Sequence, residues 1–214
     1  MQVSYYLLLS KLFQANVKYL ICGGMATAAH GSRRHTDDLD LLIDLNKKNL
    51  VAFAGVVYEL GFKERIPIRI TDMHEQKYRD ELLRTKNMLA LQLFHSGENL
   101  SVDLMIHNEI TFEEIWQRKT VRNYKDFDVY FLSLDDLIIM KEKAGREVDR
   151  MDLAFLKKVK KESDDSSSVQ EPPAIYSFDL QKYERWLKDA DHFLSAIRTP
   201  EEKIRNEKVK KGEF

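Results

Sequence analysis

Along residues 3–161, hydrophobic residues recur at two different spacings. Apolar residues three and four positions apart indicate amphipathic helices, whereas apolar residues at every second position indicate strands with one buried face. We predict helices over residues 3–14, 25–30, 47–60, 112–118, 133–144 and 147–161. We predict strands over residues 17–22, 38–44, 88–95, 100–107 and 127–132.

The order of these elements predicts an α/β (α+β) fold with a mixed sheet flanked by helices. The strands over residues 88–95 and 100–107 are separated by a Ser-Gly-Glu-Asn segment, which is typical of a β-hairpin. Ser133, with Asp136 three residues later, resembles a capping box and predicts the start of a helix. Residues 63–86 give no clear pattern.

The composition of the chain changes after residue 162. Residues 163–177 are rich in serine, aspartate and proline, which is typical of a linker. An amphipathic pattern over residues 178–197 predicts one helix, followed by a charged tail. We therefore expect a domain over residues 1–162, a linker over 163–177, and a C-terminal helix and tail over 178–214.

With 214 residues, of which 43% are hydrophobic, the chain can form a domain with its own core. The 34 lysines and arginines nearly balance the 35 aspartates and glutamates, so charge selects neither nucleic acid nor a membrane as a required partner. The chain has one cysteine, Cys22, and its first residues lack the pattern of a secretory signal. No apolar run approaches the roughly 20 residues of a membrane helix. We expect a cytoplasmic protein with no membrane partner.

Acidic residues lie on two of the predicted strands. Asp38 and Asp40 are two positions apart and share one face, and Asp103 lies opposite the apolar face of its own strand. If the strands are neighbours, three carboxylates converge and repel one another unless a cation lies among them. Oxygen-only ligands suit Mg²⁺, so we predict a metal site formed by Asp38, Asp40 and Asp103. Each of these residues alone is more often solvated, and we assign solvated or capping roles to Asp37 and Asp44.

Gly23 and Gly24 follow a predicted strand and precede a short predicted helix. Glycines at such a place let the backbone approach a ligand closely, and the helix N-terminus offers unpaired N–H groups to an anion. We predict that this segment holds the phosphate groups of a ligand, and we expect further contacts with that ligand from Arg34 and Thr36. A Gly-Gly pair alone is more often only a turn.

Other chemistry lacks support in the sequence. The six histidines and Cys22 show no spacing typical of a zinc site. The chain has no glycine motif of dinucleotide-binding or P-loop proteins and no nucleophile elbow around a serine.

Residues 22–43, which read Cys-Gly-Gly-Met-Ala-Thr-Ala-Ala-His-Gly-Ser-Arg-Arg-His-Thr-Asp-Asp-Leu-Asp-Leu-Leu-Ile, resemble the first motif of the DNA polymerase β-type nucleotidyltransferases. They are similar in particular to the small bacterial AbiEii-type members. Residues 141–152 are similar to the Lys-x4-Arg-x-Lys-Asp-x-x-Asp motif of that type, with Val148 where the pattern has lysine. The resemblance extends over residues 17–156 and implies a nucleotidyltransferase palm.

The resemblance also implies roles for individual residues. Gly23 and Gly24 bind the triphosphate, and the three aspartates bind the metal. Lys141 and Asp152 belong to the catalytic site, and we also predict a nucleotide contact from Lys141.

Lys141 and Asp152 lie on the apolar stripes of the last two predicted helices of the domain. A charge on such a stripe must be paired or face a cleft, because burying it alone is costly. We therefore predict that Asp152 is buried and pairs with Lys141 or Arg146. A structural ion pair between the two helices is the alternative to a role in the site, and Arg146 with Asp149 also fits an ordinary pair at the helix junction.

The implied function is a Mg²⁺- or Mn²⁺-dependent transfer of a nucleoside monophosphate from a nucleoside triphosphate to an acceptor. An RNA or tRNA end, a protein hydroxyl and a small molecule are all candidate acceptors. The resemblance also implies a toxin–antitoxin pair with a cognate partner protein as one setting. The alternative is a nucleotide-binding regulatory or antitoxin-like module with little catalysis. A Mg²⁺ phosphohydrolase is a third class, but it does not explain the Gly-Gly segment before the acidic strand.

Overall fold

The computed structural model describes residues 3–32, 36, 38–108, 110–124 and 127–166. Its α-helices are α1 Tyr5–Gln14, α2 Gly23–Ala29, α3 Lys47–Glu59, α4 Gln76–Lys86, α5 Phe112–Gln117, α6 Leu134–Ala144 and α7 Glu147–Ser166, and a 3₁₀ helix covers Ile70–His74. Its strands are β1 Tyr19–Ile21, β2 Asp38–Ile43, β3 Lys63–Glu64, β4 Ala90–His95, β5 Leu100–Met105, β6 Thr120–Tyr124 and β7 Phe127–Phe131. Every helix and strand predicted within residues 3–161 is present, with small shifts at its ends.

The strands form one seven-stranded sheet in the order β3-β4-β5-β2-β1-β7-β6. β2 pairs with β5 and β1 pairs with β7 in parallel, whereas the other neighbouring strands are antiparallel. The sheet is therefore mixed, and the predicted α/β class is confirmed. The predicted hairpin is the antiparallel pair of β4 and β5.

The two faces of the central strands differ in burial. Leu39 and Leu41 of β2 and Val102 and Leu104 of β5 are 0% exposed, so their shared face belongs to the hydrophobic core. Burying these side chains stabilises the sheet by about 1.5–3 kcal/mol each. The positions between them point to the other face, where burial is incomplete. Asp38, Asp40 and Asp103 lie on this second face, which we call the acidic face.

Two residues with predicted local roles, Ser133 and Asp44, lie near the N-termini of α6 and α3. The Ser133 side chain accepts a hydrogen bond from the backbone N–H of Asp136, and α6 begins at the next residue, as expected. Asp44 lies just beyond the end of β2, where it accepts hydrogen bonds from the backbone and side chain of Asn46. Its assignment to a local structural role is consistent with these contacts.

Four elements have no counterpart in the predicted pattern: β3, the 3₁₀ helix, α4 and β6. β6 is an edge strand in which Tyr124 alone is buried, so it lacks a continuous apolar face. α4 buries Arg79 and Leu82 and exposes most of its other residues, which leaves little helical periodicity in the sequence. β3 has two residues, too few to show alternation.

The last described helix, α7, continues to Ser166 and so includes the first residues of the predicted linker. The rest of that segment and the predicted helix over residues 178–197 lie outside the described residues. Contacts divide the chain into two units, residues 1–172 and 173–214. Within residues 3–166, as far as they are described, no helix is long and apolar enough to span a membrane.

Candidate active site

Asp40 and Asp103 lie directly opposite each other on the neighbouring parallel strands β2 and β5. Asp38 lies opposite Ser101 in the same register. Because side chains alternate along a strand, the three carboxylates project from the same face of the sheet. The two acidic strands are therefore neighbours, which is the condition on which the predicted metal site depends.

Burial and neighbouring negative charge raise the pKa of Asp40 and of Asp103. The pKa of Asp40 is raised to about 6, first by burial and then by the charges of Asp103 and Asp38. Burial also raises the pKa of Asp103, against a hydrogen bond from Gln92 that lowers it, and the charge of Asp38 raises it further. The charged forms are therefore disfavoured, and a cation among the carboxylates would stabilise them.

The carboxylate and hydroxyl oxygens on this face suit Mg²⁺, which binds oxygen ligands. Besides the carboxylates, the hydroxyl oxygen of Ser101 is buried and has no hydrogen-bond partner among the described residues, so it offers one more oxygen beside Asp38. In the described part of the chain, however, no group of three or more His, Cys, Asp or Glu side chains is arranged to hold a metal ion. The prediction that all three aspartates lie within reach of one ion is thus not met by these side-chain positions. Mutual repulsion of three like charges favours their separation.

Gly23 and Gly24 begin α2 directly against the acidic face. A Cβ atom on Gly23 would lie 1.9 Å from Oδ2 of Asp40, and one on Gly24 would lie 2.6 Å from Oγ1 of Thr36. The backbone N–H of Gly24 donates to the Asp40 carboxylate, which lowers its pKa. The two glycines therefore allow close contact with Asp40 and Thr36, in addition to the predicted contact with a phosphate. Arg34, the other predicted nucleotide contact of this loop, lies outside the described residues.

We expect Gly23→Ala to lower the free energy of unfolding by about 1–3 kcal/mol and to reduce activity by displacing Asp40. Gly23 has a φ of +58°, and the added methyl group would overlap the carboxylate. The matched control is Gly55→Ala in α3, where a Cβ atom would meet no atom within 4 Å. Because Gly55 is exposed inside a helix, this control should raise the free energy of unfolding by about 0.5–1 kcal/mol. Urea denaturation of both variants measures the difference, and equal stability of the two would contradict the packing of Asp40 on Gly23.

A buried ionic cluster joins α6 and α7. Nζ of Lys141 lies 2.6 Å from Oδ2 of Asp152 and 3.3 Å from Oδ1 of Asp149, and the three side chains are 3%, 4% and 0% exposed. Arg146 contacts Asp149 from the solvent side, with Nε 2.7 Å from Oδ2. Burial opposes ionisation of Asp149, but Arg146 and Lys141 outweigh it and lower its pKa. The prediction that Asp152 is buried and paired with Lys141 is confirmed.

The cluster lies close to the acidic face. α6 contacts α2, and the charge of Arg146 acts on Asp40, whose pKa it lowers. Lys141 itself contacts the carboxylates of Asp149 and Asp152. This contact is the structural ion pair between the two helices, the alternative to a role of Lys141 in the site. A direct contact between Lys141 and a nucleotide remains a prediction. Arg146, by contrast, has a side chain that is 69% exposed and was not predicted as a site residue.

Two further residues beside Asp103 were not predicted. Nε2 of Gln92 donates a hydrogen bond of 3.0 Å to Oδ1 of Asp103. The charge of Arg65 lowers the pKa of Asp103. No sequence motif marks either residue, and only the register of β4 against β5, which places Gln92 opposite Asp103, could have identified Gln92.

The chain resembles solved structures at low sequence identity, and the match to LnuA supports the fold. The crystal structure of the lincosamide antibiotic adenylyltransferase LnuA with bound lincomycin is 16% identical, with a TM-score of 0.50 over 72% of this chain and 95% of that one. The crystal structure of ANT(2″)-Ia in complex with adenylyl-2″-tobramycin is 15% identical, with a TM-score of 0.46 over 73% and 90%. A solution structure of the antibiotic-resistance factor ANT(2″)-Ia is 14% identical, with a TM-score of 0.45 over 89% and 95%. No curated protein matches the sequence.

A family model covers most of the chain. It is described as a nucleotidyl transferase of unknown function (DUF2204) and matches residues 2–172, which include both strands with the candidate carboxylates and the buried cluster. The fold and the match together support the nucleotidyltransferase superfamily that the sequence resembles. The chain therefore belongs to the DUF2204 family of nucleotidyl transferases, and it is a nucleotidyltransferase.

Proposed function

We propose that this enzyme moves a nucleoside monophosphate from a nucleoside triphosphate to an acceptor hydroxyl in a Mg²⁺-dependent reaction. The observation that carries the proposal is the register of Asp40 and Asp103 on adjacent parallel strands, with Gly23 and Gly24 of α2 against Asp40. This arrangement brings carboxylates and helix N–H groups to one face, which suits a metal-bound triphosphate.

Asp38 and Asp40 are the proposed ligands of the triphosphate-bound ion, and Asp103 is the proposed ligand on the acceptor side. Bound Mg²⁺ would supply charge neutralisation of the triphosphate and a lower pKa of the acceptor hydroxyl. The hydrogen bonds from Gly24 to Asp40 and from Gln92 to Asp103 orient the two carboxylates. In the transfer, the acceptor oxygen forms a bond to the α-phosphorus, the bond to pyrophosphate breaks, and the acceptor proton leaves to solvent.

The remaining predicted site residues have supporting roles in this proposal. Thr36, packed against Gly24, and Arg34 contact the nucleotide. Lys141 and Asp152 hold the junction of α6 and α7 so that Arg146 faces Asp40, and Lys141 supplies positive charge near the triphosphate. The protein thus contributes mainly positioning and electrostatic stabilisation.

The resemblance to AbiEii-type enzymes extends the proposal to a cytoplasmic enzyme of a toxin–antitoxin pair with a cognate partner protein. Acceptors then include an RNA end, a protein hydroxyl and a small molecule. The structural relative LnuA is an adenylyltransferase by name, which makes ATP the first triphosphate to test.

The test is incubation of the purified protein with each α-³²P-labelled triphosphate, Mg²⁺, total RNA and cell extract. We expect labelled acceptor with the wild type, and none with EDTA or with the double variant Asp40→Asn, Asp103→Asn. A wild type that binds a triphosphate but labels no acceptor in any extract would support the regulatory, antitoxin-like module instead.

A further inference from the structure

The sheet face that carries Asp103 extends across the hairpin of β4 and β5 to the edge strand β3. Burial alternates along both strands, and the residues that share the face of Asp103 are partly exposed. On β4 these include Gln92, opposite Asp103, and Phe94, opposite Ser101. This part of the sheet surface therefore lies open beside the carboxylate proposed to serve the acceptor.

The short edge strand β3 adds positive charge to this face. Lys63 pairs with Phe94 in register, and the backbone N–H of Arg65 donates to the carbonyl of Gln92. The guanidinium carbon of Arg65 lies 4.9 Å from the ring centroid of Phe94. Glu64, between the two cations, points to the other side, where it accepts hydrogen bonds from Tyr58 and the backbone of Ile70. Because side chains alternate along a strand, Lys63 and Arg65 share this face and Glu64 lies on the opposite one.

Lys63 and Arg65 are exposed. Neither has a carboxylate at salt-bridge distance within the part of the chain that the structure describes. Their charge is therefore available to a ligand. Stacking on Phe94 orders the guanidinium of Arg65, so less entropy is lost when it binds a planar or tetrahedral oxyanion. An amine-bearing acceptor would be repelled here, whereas an anion would be attracted.

We propose that Lys63, Arg65 and Phe94 form an acceptor platform and that the acceptor is a hydroxyl compound that carries a phosphate, as an RNA 3′ end or a free nucleotide does. The proposal rests on the proposed function, because the role of Asp103 makes the β4 side the acceptor side. Arg65 binds the phosphate with two N–H groups, which fits the geometry of an oxyanion. Lys63 adds a second positive charge, and the ring of Phe94 lies beside the base or sugar.

The experiment compares Arg65→Ala and Lys63→Ala with the control Arg69→Ala. Arg69 lies four residues after Arg65 in the sequence and has an 81% exposed side chain that contacts Asp72. Transfer is measured with three acceptors: a short single-stranded RNA, 5′-AMP, and adenosine, which lacks the phosphate. Binding of the same RNA, fluorescently labelled, is measured by anisotropy without triphosphate at several salt concentrations.

We expect Arg65→Ala to raise KM for the phosphate-bearing acceptor about tenfold or more, because it removes one charge-assisted hydrogen-bonded contact. KM for the triphosphate should stay unchanged. Lys63→Ala should have a smaller effect, both variants should weaken the salt dependence of RNA binding, and Arg69→Ala should match the wild type. A preference for RNA over 5′-AMP, or the reverse, separates the two sources of the phosphate.

The outcomes for the platform and for the transfer are separable. If the wild type transfers nucleotide but Arg65→Ala leaves KM for the acceptor unchanged, or if adenosine or a protein is the preferred acceptor, the platform is wrong and the transferase stands. If the wild type transfers nothing but RNA binding falls in Arg65→Ala, the platform stands and the proposed transfer is wrong. A wild type that binds neither RNA nor 5′-AMP overturns the platform.

Discussion

Asp103→Asn is expected to reduce nucleotidyl transfer by about 10²- to 10⁴-fold while leaving Mg²⁺-dependent triphosphate binding largely intact. Asparagine preserves the shape of the side chain and can still accept the hydrogen bond from Gln92, so the change removes charge rather than packing. If Asp103 serves the acceptor side, its charge matters mainly in the transition state, and the loss falls on kcat. Calorimetric titration with Mg·ATP and single-turnover transfer measure the two quantities separately.

Asp40→Asn is expected to lose both triphosphate binding and turnover, because Asp40 lies against the glycines of the proposed triphosphate site. The control is Asp80→Asn on α4, an exposed aspartate whose carboxylate accepts a hydrogen bond from Gln76. This variant should bind and transfer as the wild type does. Equal loss of binding in Asp40→Asn and Asp103→Asn would contradict the proposed division of roles.

Asp152→Ala is expected to lower the free energy of unfolding by about 3 kcal/mol, because it breaks a buried ion pair and leaves Lys141 with Asp149 as its remaining carboxylate. Urea denaturation followed by circular dichroism measures the change. The control is Asp135→Ala, which breaks the exposed pair of Asp135 with Lys160 and should lower the free energy of unfolding far less than Asp152→Ala does. A similar small loss in both variants would show that the buried pair contributes no more than a surface pair.

The same cluster allows its structural and catalytic roles to be separated. Lys141→Met removes the charge but keeps most of the side-chain length, and its kinetics are measured per folded molecule at low temperature. If Lys141 only joins α6 to α7, KM for the triphosphate and kcat should stay near those of the wild type. If Lys141 also contributes positive charge at the triphosphate, KM should rise by about tenfold.

The sequence alone determined the features that depend on neighbours along the chain. Period-two alternation showed that Asp38 and Asp40 share a face, because side chains in any strand alternate whatever lies beside it. The glycines at the start of α2 and the charges on the stripes of α6 and α7 were equally visible, and the burial of Asp152 followed from the cost of an unpaired charge on an apolar stripe. Elements with little burial, such as β6, left no such pattern.

Only the tertiary structure decided which distant residues meet. The order of strands in the sheet placed β5 beside β2, and the register then set Asp103 opposite Asp40 and Gln92 opposite Asp103. The two-residue strand β3 brought Arg65 onto Phe94, although no periodicity marks either residue. The physical reason is that strand pairing is made by backbone hydrogen bonds, which are the same for every sequence, so a local pattern specifies the face of a side chain but not its partner across the sheet.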